Sequence, residues 1–107
     1  MTFAVKFTPG ARKDLRSIHD PIARNDSPEH ADYVARKIIE EALSLAAAPA
    51  RGARPTELLA LGRRDVRQVF FKPYRILYKV RGETIFIAVI ADGRRDMQSL
   101  LARRLIS

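Results

Sequence analysis

The residues best suited to chemistry in this sequence are arginines on and around one predicted strand. Alternation along residues 74–80 places Arg75 on a positively charged face, opposite an apolar one. Arg94 and Arg95 follow the next strand and Arg67 lies on the preceding one, so strand pairing would bring them near Arg75. Clustered guanidinium groups bind phosphate and stabilise the charge that develops on phosphorus during metal-free RNA cleavage. The predicted target- or phosphate-binding residues here are Arg67, Tyr74, Arg75, Arg94 and Arg95.

A structural role is the alternative for these arginines. Arg95 could instead tie its strand to the following helix through an ion pair with Asp92, Asp96 or Glu83. Under that alternative Arg95 stabilises the fold and is not available to bind phosphate.

The excess positive charge lies entirely in the second half of the chain. Residues 1–50 contain seven Lys/Arg and seven Asp/Glu, whereas residues 51–107 contain thirteen and five, which accounts for the net charge of +8. We interpret this asymmetry as a face for nucleic acid or an acidic partner, with ordinary solvated surface as the alternative. Arg103 and Arg104 are added to the predicted target-binding set, although their charge would also be favourable at a helix end.

Residue types exclude several other chemistries. The chain has no cysteine, no Cys/His cluster, no Walker loop and no glycine-rich dinucleotide motif, so we predict neither a metal nor a cofactor. His19 and His30 fall in the neutral first half and are interpreted as surface or helix-end residues. The serines on predicted helices have no neighbouring base and the carboxylates are scattered, so neither a serine nucleophile nor a magnesium site is expected.

The first half of the chain predicts a strand followed by two helices. Residues 3–7 alternate apolar and polar side chains, as a short strand does. Thr8 and Ser27, each followed by proline, are typical helix N-caps. We expect the first helix to weaken or end at Pro21 and the second to end before Pro49.

The second half predicts three strands and a last helix. A connector over residues 51–64 contains about one turn of helix, and period-two patterns over residues 66–71, 75–80 and 84–91 predict strands joined by hairpins. The third strand is apolar throughout, so we expect it to be central and covered on both faces. Helical spacing returns over residues 97–105.

The element order is therefore β-α-α-β-β-β-α in a single domain, residues 1–107. A helical hairpin with an apolar stripe must bury that stripe against the sheet. We predict an α+β fold of two layers, in which the N-terminal helical hairpin packs on an antiparallel sheet and a C-terminal helix follows.

A set of short motifs carries a family resemblance. They are Leu61-Gly62, Val66-Arg67, the stretch PYRILY at residues 73–78, the stretch GRRD at residues 93–96, and ARKDL at residues 11–15. Together they resemble the ParE/RelE superfamily of bacterial type II toxins, and the resemblance covers nearly the whole chain. It implies the RelE/ParE-like fold that the element order also predicts.

Three positions separate the branches of that superfamily. RelE-like ribosome-dependent mRNA nucleases have arginines at the positions of Arg75 and Arg95, which this chain retains. They also have a tyrosine at the position of Leu101 and lysines at those of Gln68 and Phe70, which it lacks. Metal-free cleavage needs groups that accept and donate protons, and arginine, with a pKa above about 12, serves poorly for either. The departures imply a ParE-like toxin that is not an enzyme.

The ParE resemblance implies a toxin that stalls DNA gyrase and is neutralised by a ParD-like antitoxin, whose acidic, partly disordered C-terminal segment would suit the +8 surface. Two alternatives stay open: a RelE-like endonuclease acting on mRNA in the ribosome, and a degenerate member that binds only its antitoxin. The lack of a signal peptide and of a membrane span predicts a cytoplasmic protein. The predicted antitoxin-binding residues, for which plain core is the alternative, are Leu15, Ile18, Val34 and Ile38.

Overall fold

A computed structural model describes residues 2–106, and its element order is the predicted β-α-α-β-β-β-α, with the predicted turn of helix in the connector. The predicted α+β class is confirmed. None of the helices in that range is long and apolar enough to cross a membrane. The helices are α1 (Pro9–Asn25), α2 (Pro28–Leu43), α3 (Thr56–Leu59) and α4 (Met97–Leu105), and a 3-10 turn (Ser44–Ala47) follows α2. The strands are β1 (Ala4–Phe7), β2 (Val66–Phe71), β3 (Tyr74–Arg81) and β4 (Thr84–Asp92).

Both helices of the hairpin begin at the predicted caps. The Thr8 hydroxyl accepts a hydrogen bond from the Ala11 N–H at 3.1 Å, and the Ser27 hydroxyl accepts one from the His30 N–H at 3.0 Å. These bonds satisfy backbone donors that have no partner within the first turn of a helix. The cap-proline pairs therefore fix where α1 and α2 start.

The first helix was predicted to weaken or end at Pro21; it does not end there but continues to Asn25. Proline lacks the N–H that would bond to the carbonyl of Ser17, but Ser17 is exposed and water can solvate that carbonyl. Ile22, one residue after the proline, packs against the core of the protein. Burial of this side chain offsets the local cost of the proline.

A histidine joins the two helices of the hairpin. His19 on α1 forms hydrogen bonds to Asp20 at 3.0 Å and to Asp32 on α2 at 2.8 Å. The hydrogen bond to Asp32, followed by that to Asp20, raises the pKa of His19. The hairpin is thus most tightly tied when the imidazole is protonated.

The sheet has the strand order β1-β4-β3-β2, which places β4 in the interior of the sheet as predicted. β2, β3 and β4 are antiparallel neighbours, but β1 pairs with β4 in parallel. The expectation of a purely antiparallel sheet is corrected, because the hairpin carries the chain across the sheet and β1 joins the far edge.

Helices cover both faces of the sheet, so the fold has three layers where two were predicted. One core lies between the sheet and the α1–α2 hairpin and is centred on Ile38, Leu45 and Tyr78. The second lies on the opposite face, beneath α3 and α4, and includes Leu58, Val66, Leu77, Val89, Met97, Leu100 and Leu101. The face of β3 that was predicted to be open and charged is therefore covered.

Candidate functional site

Arg75, the centre of the predicted site, lies on the face of the sheet that carries the second core and is mostly buried. Its Nη1 and Nη2 donate to the two carboxylate oxygens of Glu57 on α3 at 2.8 and 2.9 Å, and its Nε donates to Gln68 Oε1 at 2.8 Å. The Arg75 side chain is 11% exposed and that of Glu57 is 22% exposed. The hydrogen bonds from Arg75 lower the pKa of Glu57. This bidentate pair occupies both arms of the guanidinium, which phosphate would otherwise need.

Arg67 lies on the other face of the sheet and does not join Arg75. In the β2–β3 ladder Arg67 is opposite Tyr78 and Arg75 is opposite Phe70, and side chains alternate between the faces along each strand. Arg67 Nη1 donates to the carbonyl of Gly52 at 2.8 Å, so it anchors the connector to the sheet. The prediction that Arg67 completes an arginine cluster with Arg75 is corrected.

The connector is also fixed by a buried tyrosine that sequence reasoning missed. The Tyr78 hydroxyl donates to the carbonyl of Pro49 at 2.8 Å and accepts from the N–H of Gly52 at 3.0 Å. A Cβ at Gly52 would lie 2.6 Å from the Gln68 carbonyl oxygen and 2.7 Å from the Tyr78 hydroxyl, so the connector can approach this closely only at a glycine.

At the end of β4, Arg94 and Arg95 differ in their partners. Arg94 donates to both carboxylate oxygens of Asp92, and the pKa of Asp92 is lowered by these bonds. Asp96 caps α4 by accepting from the Ser99 N–H at 3.2 Å. Because these two carboxylates are engaged elsewhere, Arg95 is exposed and its guanidinium forms no hydrogen bond or ion pair with residues 2–106. The alternative in which Arg95 ties strand to helix is not what the structure has.

Arg95 and Tyr74 line the same cleft, which has a volume of about 320 Å³ and lies between α1 and the ends of β3 and β4. Ser17 and Ile18 of α1 form its opposite wall. Burial, and then the nearby charge of Asp92, raise the pKa of the Tyr74 hydroxyl, which therefore stays protonated and can donate a hydrogen bond. The structure thus brings Tyr74 and Arg95 together on the α1 side of the sheet and separates both from Arg75.

Arg104 has a structural role that neither sequence interpretation anticipated. It donates from Nη1 and Nη2 to the two carboxylate oxygens of Asp14 on α1, at 2.8 and 3.0 Å, and from Nη2 to the Ala88 carbonyl at 3.1 Å. Asp14 also accepts from the Ile90 N–H at 3.0 Å. A register shift leaves Ala88 unpaired in the β3–β4 ladder, and β1 pairs only with the first half of β4. The ion pair therefore satisfies backbone groups of β4 that no strand reaches.

Arg103 is exposed on α4. Its charge contributes to the lowered pKa of Asp96, although the hydrogen bond from Ser99 is the larger cause. Arg103 is therefore the exposed member of the C-terminal arginine pair.

The predicted antitoxin-binding residues divide into buried and accessible pairs. Val34 and Ile38 are 5% and 0% exposed within the core under the hairpin, so a partner cannot reach them in this fold, and their assignment is corrected to core. Leu15 and Ile18 are half-buried, and each lines a surface cavity. Antitoxin binding at these two positions stays a prediction.

Sequence reasoning also missed the two carboxylates that neutralise arginines. Asp14 carried a usable signal, because it lies on the apolar stripe of α1 between Ala11 and Ile18, where a charge needs a buried partner. Glu57 carried none, since it sits on a helix of one turn without periodicity. Among residues 2–106, no group of three or more His, Cys, Asp or Glu side chains could hold a metal ion.

The fold of this chain is similar to those of solved chains from bacterial toxin–antitoxin systems. A solved chain of the chromosomal ParDE toxin–antitoxin system from P. aeruginosa superposes with a TM-score of 0.72 at 28% identity, covering 85% of this chain and 96% of that one. A chain of the RelBE2 toxin–antitoxin complex from Mycobacterium tuberculosis gives 0.61 at 22% identity, over 86% and 99% of the two chains. A mutant of the E. coli toxin RelE in the free state gives 0.58 at 17%, over 100% of both. The last two similarities establish the RelE/ParE-like fold alone.

The family follows from the sequence match. A family model described as the ParE toxin of the type II toxin–antitoxin system parDE matches residues 5–97. The chain therefore belongs to the ParE toxin family, and the resemblance drawn from its motifs is confirmed. No curated protein sequence matches it.

Proposed function

We propose that this ParE-family toxin acts in the cytoplasm as a non-catalytic inhibitor of DNA gyrase and that a cognate antitoxin neutralises it. The observation that carries the proposal is the state of Arg75. The arginine that a RelE-like nuclease would use on the scissile phosphate is 11% exposed and held by Glu57 and Gln68. An arginine held by these two partners cannot stabilise the negative charge that develops on the phosphoryl group during cleavage.

The surroundings of Arg75 support the same conclusion. Metal-free RNA cleavage requires one group to take the 2′-hydroxyl proton and another to protonate the leaving oxygen. Leu101, at the position of the nuclease tyrosine, is a fully buried hydrocarbon. Arg75 lowers the pKa of Glu57, so this carboxyl is ionised at neutral pH and has no proton to donate. Burial raises the pKa of Tyr74, so its hydroxyl stays protonated and is not available as a phenolate base. A binding function needs none of these proton transfers.

The cleft at the end of β4 is the surface we assign to target binding. It combines an exposed arginine without an internal partner, Arg95, with a protonated tyrosine hydroxyl, that of Tyr74. Both groups donate hydrogen bonds and suit carboxylate or phosphate acceptors. Arg94 and Arg103 also lie on exposed surface, but Arg94 is neutralised by Asp92.

We assign the antitoxin to an apolar groove of about 590 Å³ beside β1. β1 is one of the two edge strands of the sheet and can accept a further strand, while apolar side chains supply pockets for its residues. Lys6 and Arg12, the two cations in the groove, favour an acidic segment over a neutral one. The groove is lined by Val5, Lys6, Phe7, Arg12, Leu15 and Ile39.

The deciding experiment exposes gyrase and programmed ribosomes in parallel to purified toxin free of antitoxin. We expect gyrase supercoiling to be inhibited and cleaved DNA complexes to accumulate, while mRNA on the ribosomes stays intact. Cleaved mRNA with unaffected gyrase would overturn the proposal in favour of the nuclease. No effect on either, with a native circular dichroism spectrum, would overturn it in favour of a degenerate member.

Variants locate the two surfaces. Arg95→Ala and Tyr74→Phe should weaken gyrase inhibition at least tenfold, whereas Arg81→Ala, an exposed arginine at the opposite end of β3, should not. Lys6→Glu combined with Arg12→Glu should weaken neutralisation by the co-expressed antitoxin and leave gyrase inhibition intact. Full neutralisation of that double variant would remove the groove from the proposal.

A further inference from the structure

The exposed face of α1 carries three cations that the proposed function does not use. Lys13, Arg16 and Arg24 line a surface depression of about 480 Å³, and all three are exposed. None of their side chains forms a hydrogen bond or ion pair with another residue in the range 2–106. We call Lys13, Arg16 and Arg24 the α1 basic strip.

The strip carries net positive charge because most carboxylates in the first half of the chain are bonded to other residues. The first half of the chain is neutral overall, yet most of its acids are bonded away from these cations. Asp14 pairs with Arg104, and Asp32 bonds to His19. Asp20, which shares the depression with the strip, bonds to His19 as well. The remaining acid pairs are Asp26 with His30, Glu40 with Arg36 and Lys37, and Glu41 with Arg51.

The dimensions of the strip match a phosphate backbone. Eleven residues separate Lys13 from Arg24, which at 1.5 Å per residue is about 16 Å along the helix axis. Double-stranded DNA presents a phosphate about every 3.4 Å per strand, so about five phosphates of one strand cover this length. Ser17 and Pro21 line both this depression and the cleft of Arg95, which makes the positive surface continuous with a fourth unpaired cation.

We propose that the α1 basic strip binds the phosphate backbone of duplex DNA without sequence specificity. The strip has no apolar anchor, since the exposed large hydrophobic residues all lie outside α1. Peptide partners gain their affinity from such anchors, whereas phosphates gain it from charge and counterion release. The apolar groove beside β1 is the surface suited to a peptide. The inference goes beyond gyrase binding, because the toxin would contact DNA directly.

The test is fluorescence anisotropy of a labelled 20-base-pair DNA duplex with purified toxin across a series of NaCl concentrations, without gyrase. Each phosphate contact contributes about −0.9 to the slope of log K against log salt concentration. The variant Lys13→Gln/Arg16→Gln/Arg24→Gln should therefore reduce the slope by about 2.7. The control is Arg64→Gln/Lys79→Gln/Arg81→Gln, which removes the same charge from residues outside α1 and should reduce it by less than about 1. Circular dichroism confirms that both variants are folded.

Each other outcome overturns the inference. Equal losses in the two triple variants would mean that DNA binding follows net charge and not the strip. An unchanged slope in the α1 variant would place binding elsewhere. If the α1 variant lost its binding to an acidic antitoxin segment but kept its DNA binding, the strip would be a protein-binding surface. Gyrase does not enter this assay, so DNA binding by a toxin that leaves gyrase active would contradict the proposed function and not the strip.

Discussion

Glu57→Gln is the change that most directly tests why Arg75 is unavailable. The variant keeps the shape of the side chain but removes the negative charge that faces Arg75 at 2.8 and 2.9 Å. Arg75 keeps its hydrogen bond to Gln68 and otherwise becomes a nearly buried cation without a counter-charge. We expect the protein to be destabilised and the guanidinium to be released toward solvent or an anion.

The size of the effect follows from burial. Removal of one partner from a fully buried ion pair costs about 3–5 kcal/mol. Arg75 and Glu57 keep 11% and 22% of their side-chain surface exposed, so water screens part of the loss. We expect the free energy of unfolding to fall by about 2–3 kcal/mol. Arg75→Gln combined with Glu57→Gln should cost less than the sum of the single changes, because no uncompensated charge remains.

Urea unfolding at neutral pH, followed by circular dichroism, measures these differences. Glu83→Gln is the matched control, since Glu83 is exposed in the β3–β4 turn and its loss should cost less than about 0.5 kcal/mol. Because the pKa of Glu57 is lowered in the folded protein, the ionised carboxylate stabilises the fold fully above pH 4.5. This stabilisation is lost as the pH falls through the folded-state pKa. The gap between wild type and Glu57→Gln should therefore close in acid. A Glu57→Gln variant as stable as Glu83→Gln would refute the argument that Arg75 is structurally locked.

Three further predictions rest on single contacts. Tyr78→Phe removes both hydrogen bonds of a buried hydroxyl and should cost about 1–3 kcal/mol in urea unfolding, whereas the exposed Tyr33→Phe should cost less than about 0.5 kcal/mol; equal costs would contradict this. Asp14→Ala leaves Arg104 and the Ile90 N–H without their hydrogen-bond acceptor. We therefore expect the free energy of unfolding to fall by about 2 kcal/mol and hydrogen exchange at the Ile90 amide to become faster. Unchanged exchange at that amide would exclude the role assigned to the ion pair. His19 has a raised pKa, so its two aspartate bonds stabilise the hairpin below pH 6.5 and weaken as the pH rises through the folded-state pKa. The melting temperature of wild type should fall relative to His19→Gln between about pH 6 and about pH 9, and parallel curves would contradict the sign.

Local patterns in the sequence predicted the elements well. The strand over residues 66–71 has the predicted bounds, and the helix starts after Thr8 and Ser27 follow the caps. Alternation and capping depend on neighbours a few residues apart, so the sequence displays them directly. The continuation of α1 past Pro21 was missed because it depends on burial of Ile22, which is a tertiary contact.

The arrangement of the site could not be predicted in the same way. The residues named for it are arginines, and arginines are distinguished by their partners and not by their type. The partner of Arg75 lies 18 residues away in the sequence and that of Arg104 lies 90 away. Which edge of the sheet β1 joins is also decided by packing of the hairpin, and no local pattern encodes it. Tyr74 and Arg95 do line one cleft, because Tyr74 begins β3 and pairs with Asp92, the last residue of β4, three residues before Arg95.

The pairing of Arg75 with Glu57 explains how this fold can keep an arginine at a nuclease-type position while its guanidinium is already engaged. Arg75 and Arg104 each meet a carboxylate that satisfies both arms of the guanidinium, and each carboxylate joins a helix to the sheet. Charge that would bind a phosphate instead stabilises the packing of α3 and α4. The cations that we propose as binding groups, Arg95 and the strip on α1, are those whose nearby carboxylates are already bonded. The pairing of the acidic residues therefore decides which cations are exposed without a bonded carboxylate, and we expect a change of one carboxylate to alter binding more than the loss of one arginine.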